Sequence, residues 1–339
     1  MATPARVAVL GAGAWGTAFA VHLAARARAA PEVVLWARSR AQARELDAMR
    51  MNARYLPGVA LPQRVEVTDD LARAAGADLL VLATPVAALS EVAAAAHRAG
   101  ARSPLVWLSK GFVAAPDTPG GSMLPHQALA PRWPAAVGVV SGPSFAEEVA
   151  QGLPTALAVA ATDAALARDV ADLLRGDTLR AYETDDIAGV ETGGAMKNIL
   201  AIAAGASDGL GFGNNARAAL ITRGLAETGR LSAALGGRRE TLMGLAGLGD
   251  LVLTCTGDLS RNRRVGLGLA QGKTLPAILA ELGHVAEGVH AAKAARALAV
   301  QHGLDLPITE AVCRVLYEGL PVRTAVEALL RREPRRETN

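Results

Sequence analysis

The sequence predicts an α/β fold in which an N-terminal, doubly wound parallel sheet is followed by a C-terminal all-α domain. Up to about residue 187, short apolar β-type runs alternate with helical patterns, as strands buried on both faces of a parallel sheet require. Beyond that point the β-type runs mostly stop, and long helical patterns separated by glycine-rich turns take over. We therefore expect domains over residues 1–187 and 188–330. The charged, proline-containing segment 331–339 is expected to be a disordered tail.

Eight segments have the apolar, β-branched composition of buried strands. The predicted strands are 6–10, 32–38, 65–68, 78–85, 104–111, 135–143, 155–162 and 178–184. Longer segments with helical spacing of apolar residues alternate with these strands and then replace them. The main predicted helices are 17–30, 187–207, 214–235, 261–271, 275–282, 287–302 and 307–317.

Composition restricts the class of protein. The 339 residues include 35 Lys and Arg against 32 Asp and Glu, so the formal net charge of +3 gives no general case for nucleic-acid binding. Cys255 and Cys313 have no partner cysteine or histidine at metal-ligand spacing, and the six histidines are scattered. With no apolar run of about 18 residues to insert in a membrane, the sequence predicts a metal-free, cytoplasmic, globular protein.

Gly11, Gly13 and Gly16 form a G-x-G-x-x-G pattern between the first predicted strand and the helix after it. In such a turn the first glycine permits the sharp bend, the second lets the backbone approach a pyrophosphate, and the third lets helix and strand pack closely. The pattern predicts a Rossmann-type dinucleotide site at the start of the helix. An ordinary glycine turn is the alternative.

Arg38 stands at the end of the second predicted strand, 22 residues after Gly16. An NAD site usually has a carboxylate there for the ribose 2′-hydroxyl, but the first one here is Glu45. Because a guanidinium pairs with a 2′-phosphate, Arg38 favours NADP as the preferred cofactor. A solvated surface arginine is the alternative.

Lys197 lies in the middle of an apolar, small-residue helix, "GVETGGAMKNILAIAAGA". One interpretation is a surface lysine whose ammonium reaches water along its aliphatic stem. The other is a buried proton-transfer lysine, whose pKa an apolar surround and neighbouring cations would lower.

Two strand ends carry further candidate polar residues. Lys110 follows the strand "PLVWLS", and Ser144 follows "AAVGVVSGP", at the sheet edge where open α/β folds bind ligands. Lys110 could instead be a solvated loop lysine. Ser144 could also cap a helix, with Glu147 completing a capping box, and the two roles can hold together.

A third polar stretch, 244–266, combines a glycine-rich turn, the lone Asp250 and the run "SRNRR". Ser260, Arg261 and Asn262 supply hydroxyl, guanidinium and amide donors suited to a substrate phosphate. The alternatives are that Asp250 caps a helix beginning at Leu251 and that the run is a solvated helix face.

Together these stretches resemble the motifs of a known protein family, and the resemblance covers nearly the whole chain. The chain resembles the bacterial-type NAD(P)-dependent glycerol-3-phosphate dehydrogenases. The motifs that carry the resemblance are "GAGAWGTA", "LSKG", "SGPSFAEE", "GGAMKN", "SDGLGFGNNARAALITRGLAE", "GLGDLVLTCT", "SRNRR" and "AEG". Three positions vary from a common family residue: Ala14 is often serine, Ser144 is often threonine, and Arg38 is histidine or arginine in several members.

The resemblance implies a reversible reduction of dihydroxyacetone phosphate to sn-glycerol 3-phosphate. The product would supply phospholipid synthesis, and the enzyme would be a homodimer. The resemblance also implies Lys197 as the proton-transfer residue, with Lys110 and Asp250 beside it. The implied substrate residues are Lys110, Gly142, Ser144, Lys197, Asp250, Ser260, Arg261 and Asn262. The implied cofactor residues, besides the three loop glycines, are Ala14, Trp15, Arg38, Lys110, Ala146, Arg261, Val285 and Glu287.

Within this interpretation, Lys110 stabilises the developing alkoxide, Asp250 orients Lys197, and Arg261 with Asn262 clamps the phosphate. Asn198 and Thr254 are expected to lie just behind these groups. Gly193, Gly194 and Ala195 are expected to keep the helix surface low so that substrate can approach the lysine amine.

Two other functions compete with this one. Dehydrogenases of the 3-hydroxyacid or 6-phosphogluconate kind also combine a Rossmann domain with a helical domain and a catalytic lysine, but they usually place an asparagine four residues after that lysine. Here Ala201 occupies that position and the asparagine is the adjacent Asn198. A non-catalytic NADP-sensing protein would keep the glycine loop but has no need of the lysine, aspartate and arginine set.

Overall fold

The computed structural model describes residues 4–25, 30–283 and 285–331. All but the first residue of the predicted tail lies outside this range. The strands that it contains are β1 (Arg6–Leu10), β2 (Glu32–Trp36), β3 (Met51–Asn52), β4 (Leu56–Ala60), β5 (Val65–Thr68), β6 (Leu79–Leu82), β7 (Leu105–Trp107), β8 (Val113–Ala114), β9 (Ser122–Met123), β10 (Val137–Ser141), β11 (Thr155–Ala161) and β12 (Leu179–Thr184).

The main sheet has the strand order β12-β11-β10-β7-β6-β1-β2-β5 within the described chain. The strands from β10 through β7, β6, β1 and β2 to β5 are all parallel, which confirms the predicted α/β class and places their carboxyl ends at one edge. The expectation of an all-parallel sheet is wrong at one point, since β11 runs antiparallel to β10. Two short hairpins, β3–β4 and β8–β9, were not predicted.

The helices flank this sheet and then form the rest of the chain. They are α1 (Ala14–Ala24), α2 (Arg40–Met49), α3 (Leu71–Ala75), α4 (Leu89–Arg98), α5 (Pro125–Leu129), α6 (Ala146–Ala150), α7 (Ala164–Leu174), α8 (Ile187–Gly209), α9 (Gly213–Ala234), α10 (Arg239–Leu242), α11 (Asp250–Thr256), α12 (Arg261–Ala270), α13 (Leu275–Leu282), α14 (Glu287–Gln301), α15 (Pro307–Tyr317) and α16 (Val322–Leu330). None of the helices in the described ranges is both long and apolar enough to cross a membrane.

The predicted helices of the second half all exist, with ends within about two residues of prediction. The first helix starts at Ala14 rather than Thr17, and its predicted last turn falls on residues 26–29, outside the described chain. Helices α10 and α16 were not predicted, and α11 corresponds to the helix that was considered as an alternative from Leu251 onward.

Helix α8 is the centre of the helical region, and nearly all of its side chains are buried. Its glycine Gly205 lies against the backbone of α12, where an added Cβ would sit 1.9 Å from the carbonyl oxygen of Arg263. On α12, a Cβ on Gly266 would sit 2.0 Å from the carbonyl oxygen of Ile202. The two helices therefore pack with their backbones in contact, and alanine at either position would force them apart.

Candidate active site

Parallel strands bring candidate residues to the carboxyl edge of the sheet. Lys110 follows β7, and Gly142 follows the neighbouring strand β10. Gly142 has φ +137°, which L side chains rarely adopt, so glycine permits the sharp turn out of the strand. Its carbonyl oxygen accepts a hydrogen bond from Lys110 Nζ at 3.0 Å, which directs the lysine along this edge.

Two lysines converge on one buried carboxylate. Lys197 Nζ donates to Asp250 Oδ1 and Lys110 Nζ donates to Asp250 Oδ2, each at 2.6 Å. The side chain of Asp250 is 1% exposed, and those of Lys110 and Lys197 are 12% and 11% exposed. This lysine pair therefore joins the sheet edge, α8 and the start of α11 at a single ionic centre.

Thr254 completes the surround of Lys197. Lys197 Nζ donates to Thr254 Oγ1 at 2.9 Å, and the same hydroxyl donates to the carbonyl oxygen of Asp250, one helical turn earlier. Since that hydroxyl has used its hydrogen on the backbone, it presents a lone pair to the ammonium. Asp250 and Thr254 together fix the amine of Lys197 in one place.

The electrostatics of the centre leave Lys197 able to change its charge. Burial lowers the pKa of Lys197, and the Lys110 ammonium lowers it further, while Asp250 opposes both, so that the pKa falls to about 8. Burial acts to raise the pKa of Asp250, but the two ammonium charges outweigh it and hold that pKa below its ordinary value. A permanent carboxylate therefore faces a lysine that titrates close to neutral pH.

This geometry decides two of the alternatives. Asp250 does not cap α11, because it is the first residue of the helix, its side chain caps no backbone N–H, and its carboxylate faces the lysines. Lys197 does not reach into water, because its ammonium is ion-paired in the interior. Capping and solvation thus fail to account for either residue.

The expected role of the small residues beside Lys197 is wrong. A Cβ on Gly193 would sit 2.5 Å from the carbonyl oxygen of Ala246, and one on Gly194 would sit 3.1 Å from Ser141 Oγ. Both glycines face neighbouring protein atoms, and Ala195 is fully buried. They let α8 approach the sheet edge and the loop before α11, rather than opening a path for substrate.

The glycine loop has the geometry that its pattern predicts. Gly11 has φ +124°, and a Cβ there would sit 2.7 Å from the carbonyl oxygen of Ala83. A Cβ on Gly16 would sit 1.9 Å from the carbonyl oxygen of Gly11, which explains the close packing of α1 on the turn. Apart from Gly13 itself and its two neighbours in the chain, no described atom lies within 4 Å of the place that a Cβ on Gly13 would take. Of the three loop glycines, Gly13 alone has open space at its Cβ position.

Helix α1 starts directly at this opening. Its first intrahelical bond runs from the N–H of Thr17 to the carbonyl of Gly13, and Gly13 at the N-cap has no side chain to satisfy the earlier donors. The N–H groups of Ala14, Trp15 and Gly16 therefore precede the helical ladder, as an anion site requires. Asn52 and Gln42 both donate to the carbonyl oxygen of Ala12 and hold the loop.

The other predicted cofactor residues lie along the same edge. Arg38 follows β2 and is exposed, and the adjacent Ser39 caps α2 through Gln42 N–H. Ala146, at the start of α6, packs in the same small apolar cluster as Ala14 and Trp15. The start of α1 and the start of α6 are therefore in contact through this cluster.

Val285 and Glu287 come to this edge from the helical region. Val285 is 43% exposed, and Glu287 Oε1 accepts from the N–H of Val86, just after β6, at 3.3 Å. Burial raises the pKa of Glu287, and the Val86 N–H and the charge of Arg261 oppose that rise. Glu287 thus ties the start of α14 to the sheet.

The run at the start of α12 divides into residues with different tasks. Ser260 Oγ accepts from the N–H of Arg263 and caps the helix. Arg263 donates to Asp208 and Asp258, whereas Arg261 is exposed. Only part of the predicted phosphate run is therefore at the surface.

Asn262 is buried, and its amide bonds Asn198 and the backbone of Gly288. Ser144 is not a helix cap, because α6 begins after Phe145 and the Ser144 hydroxyl donates to the carbonyl oxygen of Gly142. Asn198 Oδ1 accepts from Asn262, whereas the Lys197 amine is bonded to Asp250 and Thr254.

Sequence reasoning missed a buried carboxylate two turns before Lys197. Glu191 is 4% exposed and accepts from Trp107 Nε1 at 3.1 Å and from the N–H of His126 at 3.0 Å. His126 Nδ1 lies 2.5 Å from its other oxygen. Burial raises the pKa of Glu191, and these partners oppose the rise. A lone carboxylate in an apolar helix was the available signal.

Two family models cover most of the chain. Residues 6–167 match the NAD-dependent glycerol-3-phosphate dehydrogenase N-terminus, and residues 186–327 match the NAD-dependent glycerol-3-phosphate dehydrogenase C-terminus. Within the described residues, no group of three or more His, Cys, Asp or Glu side chains is arranged to hold a metal ion.

Curated relatives agree with the family models. The chain is 55% identical over 336 residues to glycerol-3-phosphate dehydrogenase [NAD(P)+] of Aromatoleum aromaticum, covering 98% of this chain and all of the relative. It is 51% identical over 335 residues to the protein of the same name from Nitrosospira multiformis, covering 98% of this chain and 99% of the relative.

Solved structures agree as well. The crystal structure of glycerol-3-phosphate dehydrogenase from Coxiella burnetii superposes with a TM-score of 0.90 at 42% identity, covering 96% of this chain and 99% of that one. A ketopantoate reductase from Ralstonia eutropha reaches a TM-score of 0.56 at 17% identity, which shows a shared fold alone. The chain therefore belongs to the NAD-dependent glycerol-3-phosphate dehydrogenase family.

Proposed function

We propose that Lys197 transfers the proton, and that Lys110 and Asp250 support it, in the NAD(P)-dependent interconversion of dihydroxyacetone phosphate and sn-glycerol 3-phosphate. The chain is a glycerol-3-phosphate dehydrogenase [NAD(P)+], an oxidoreductase, as its full-length relatives are. The observation that carries the residue assignment is the single buried carboxylate held by two lysines, one of which has a pKa of about 8.

In the reducing direction, bound NADPH or NADH supplies the hydride that reaches the ketone carbon. Protonated Lys197 donates to the carbonyl oxygen as negative charge develops there, and Asp250 with Thr254 keeps its amine in position. In the oxidising direction, neutral Lys197 accepts the proton of the C2 hydroxyl. A pKa of about 8 makes both forms available near neutral pH.

Lys110 has a different task. Its ammonium is held by the Gly142 carbonyl and by Asp250, and a fixed positive charge there stabilises the alkoxide that forms at the reacting oxygen. Because Asp250 is shared, the centre carries one net positive charge when both lysines are protonated. That charge complements the developing oxyanion.

The substrate phosphate is proposed to bind at the start of α12. Arg261 is exposed and Ser260 and Asn262 lie beside it, so guanidinium, hydroxyl and amide groups occur together. The hydroxyl of Ser144 and the turn at Gly142 adjoin Lys110 and would meet the reacting end. A clamp on the remote phosphate positions the carbonyl at the lysines.

Arg261→Ala is expected to raise KM for dihydroxyacetone phosphate by roughly tenfold or more, because a charge-assisted contact to phosphate is lost. Turnover of free dihydroxyacetone, which has no phosphate for Arg261 to bind, should change much less. The matched control is Arg264→Ala, an exposed arginine of the same run. Steady-state assays of both variants with both ketones test the clamp, and an unchanged KM for the phosphorylated ketone would contradict it.

The residues at the glycine loop fit a dinucleotide. The open position at Gly13 and the N–H groups that precede the α1 ladder would hold the pyrophosphate. Ala146, Val285 and Glu287 border the same edge. Either NAD or NADP fits this loop, and we propose that Arg38 makes NADP the preferred cofactor because its exposed guanidinium pairs with a 2′-phosphate.

Arg38→Ala is expected to weaken NADPH binding by roughly tenfold or more and to leave NADH binding unchanged, because NADH has no 2′-phosphate. Nicotinamide fluorescence titrations with each cofactor measure this difference. Arg44→Ala, an exposed arginine on α2, is the control for a general change in surface charge. An equal loss of affinity for both cofactors would contradict the proposal that Arg38 pairs with the 2′-phosphate.

The wider role follows from the reaction. We propose that the product supplies phospholipid synthesis in the cytoplasm, where Cys255 and Cys313, both free and buried, would remain reduced. The resemblance implies a homodimer, and this remains a prediction. Measuring the mass of the protein in solution would test it.

A further inference from the structure

The proton-transfer helix and the phosphate segment are joined by a buried side-chain bond. Asn198 directly follows Lys197 in α8, and Asn262 directly follows Arg261 in α12. Asn262 Nδ2 donates to Asn198 Oδ1 at 2.9 Å. The two asparagines are 5% and 8% exposed, so this bond is shielded from water. Each half of the proposed site is thus one residue away from the same contact.

A third functional segment joins the same pair. The N–H of Gly288 donates to Asn262 Oδ1 at 3.0 Å, and Gly288 follows Glu287 at the start of α14. A Cβ on Gly288 would sit 2.4 Å from the carbonyl oxygen of Asn198 and 2.9 Å from Asn262 Oδ1. Glycine therefore lets the start of α14 rest directly on the asparagine pair.

The hydrogen bonds define the orientation of both amides. A backbone N–H can only donate, so the Asn262 oxygen faces Gly288 and its nitrogen faces Asn198. Asn198 must then present its oxygen, and the polarity runs in one direction from α14 through α12 to α8. Removing one member would leave buried polar groups of the others unpaired, which costs more than the bond itself contributes.

We propose that Asn198 is a positioning residue that, through Asn262 and Gly288, sets the spacing of Lys197, Arg261 and Glu287. This inference rests on the proposed function of those three residues. The second hydrogen of Asn262 Nδ2 is not needed by the bridge and remains for the substrate phosphate. Asn198 would therefore hold Asn262 in the orientation in which it donates to substrate, without touching the substrate phosphate itself.

The bridge accounts for a feature that packing alone does not. Helices α8 and α12 are already in backbone contact at Gly205 and Gly266, so the amides are not needed to bring them together. What the amides add is a defined rotation and register of the two helices at the level of Lys197 in α8 and Arg261 in α12. Near-ångström placement of such groups affects rate and affinity strongly.

Asn198→Ala tests this inference in three measurements on the full-length protein. We expect KM for dihydroxyacetone phosphate and the NADPH dissociation constant each to rise by roughly tenfold. We expect kcat to fall less than either binding parameter changes, since the contacts of Lys197 with Asp250 and Thr254 remain. Amide hydrogen exchange of Gly288 in the unliganded protein should become faster.

Thr192→Val is the matched control, because Thr192 is a fully buried polar residue of α8 whose hydroxyl bonds the carbonyl of Ala188. It should lower Tm without changing KM, the NADPH dissociation constant or exchange at Gly288. If Asn198→Ala fails to fold, Gly288→Ala probes the bridge from α14 and should also raise both binding parameters.

Three results would overturn the inference. Unchanged exchange at Gly288 in Asn198→Ala would show that the bridge does not hold α14. Faster exchange with unchanged KM and NADPH affinity would reduce Asn198 to a structural role. A large loss of kcat at unchanged KM would place it at the reacting atoms. Absence of wild-type turnover would reject the proposed function instead, while exchange and NADPH binding would still test the bridge.

Discussion

Lys197→Ala is expected to lower kcat by roughly a thousandfold or more and to leave NADPH affinity close to that of the wild type. General acid–base catalysis by a positioned group contributes on the order of a hundred to ten thousandfold. We propose Lys197 for this role because of the fixed position of its amine and its lowered pKa. Asp250 keeps its ion pair with Lys110 in this variant, so the fold should be retained.

Two controls make this result specific. Lys273→Ala removes a lysine from an exposed ion pair with Glu281 and should have full activity. Small primary amines added to Lys197→Ala should restore part of the lost turnover, because they can occupy the vacated space and donate a proton. Near-native turnover of Lys197→Ala without any amine would reject its role.

Asp250→Asn is expected to lower both activity and stability. The variant leaves two lysines in the interior without a carboxylate, and breaking one member of a buried ion pair typically costs about 3–5 kcal/mol. Since Asp250 opposes the lowering of the Lys197 pKa, its loss should lower that pKa further. Protonated Lys197 then becomes scarce at neutral pH, and we expect kcat for reduction to fall by at least roughly a hundredfold.

The signature of this second variant is a shift of the pH profile. Its residual reducing activity should improve as the pH is lowered, because more Lys197 becomes protonated. Glu227→Gln is the comparison for stability alone, since Glu227 is a buried carboxylate that binds the backbone N–H groups of Ile308 and Thr309 at the start of α15. It should change Tm but not the pH profile. An Asp250→Asn profile identical to that of the wild type would contradict the shared-carboxylate account.

Much of the secondary structure was predictable because the residues at the ends of many elements carry strong start and stop signals. The strand Val65–Thr68 and the helices Leu275–Leu282 and Pro307–Tyr317 have the predicted bounds. Proline at the first or second position of both helices, and the glycine after the first of them, give clear start and stop signals. The direction of β11 was not predictable, since a buried apolar strand has the same composition whichever way it runs.

In the candidate site, too, the residue types were predictable from local sequence, whereas the contacts between distant residues were not. The residue types at Lys110, Lys197 and Asp250 were recognisable, because charged groups in apolar surroundings need a reason. Their meeting was not, since Lys197 and Asp250 are 53 positions apart and come together through the packing of α8 against α11. Pairings such as Asn198 with Asn262 depend on rotations that no spacing in the sequence encodes.

The pH dependence of kcat/KM in both directions tests the central claim most directly. With Lys197 as the proton-transfer group, reduction needs its protonated form and oxidation its neutral form. Reduction of dihydroxyacetone phosphate should therefore decline as the pH rises through about 8, and oxidation of sn-glycerol 3-phosphate should rise through the same value. Profiles that change in the same direction, or that show no inflection near that pH in either direction, would contradict the account.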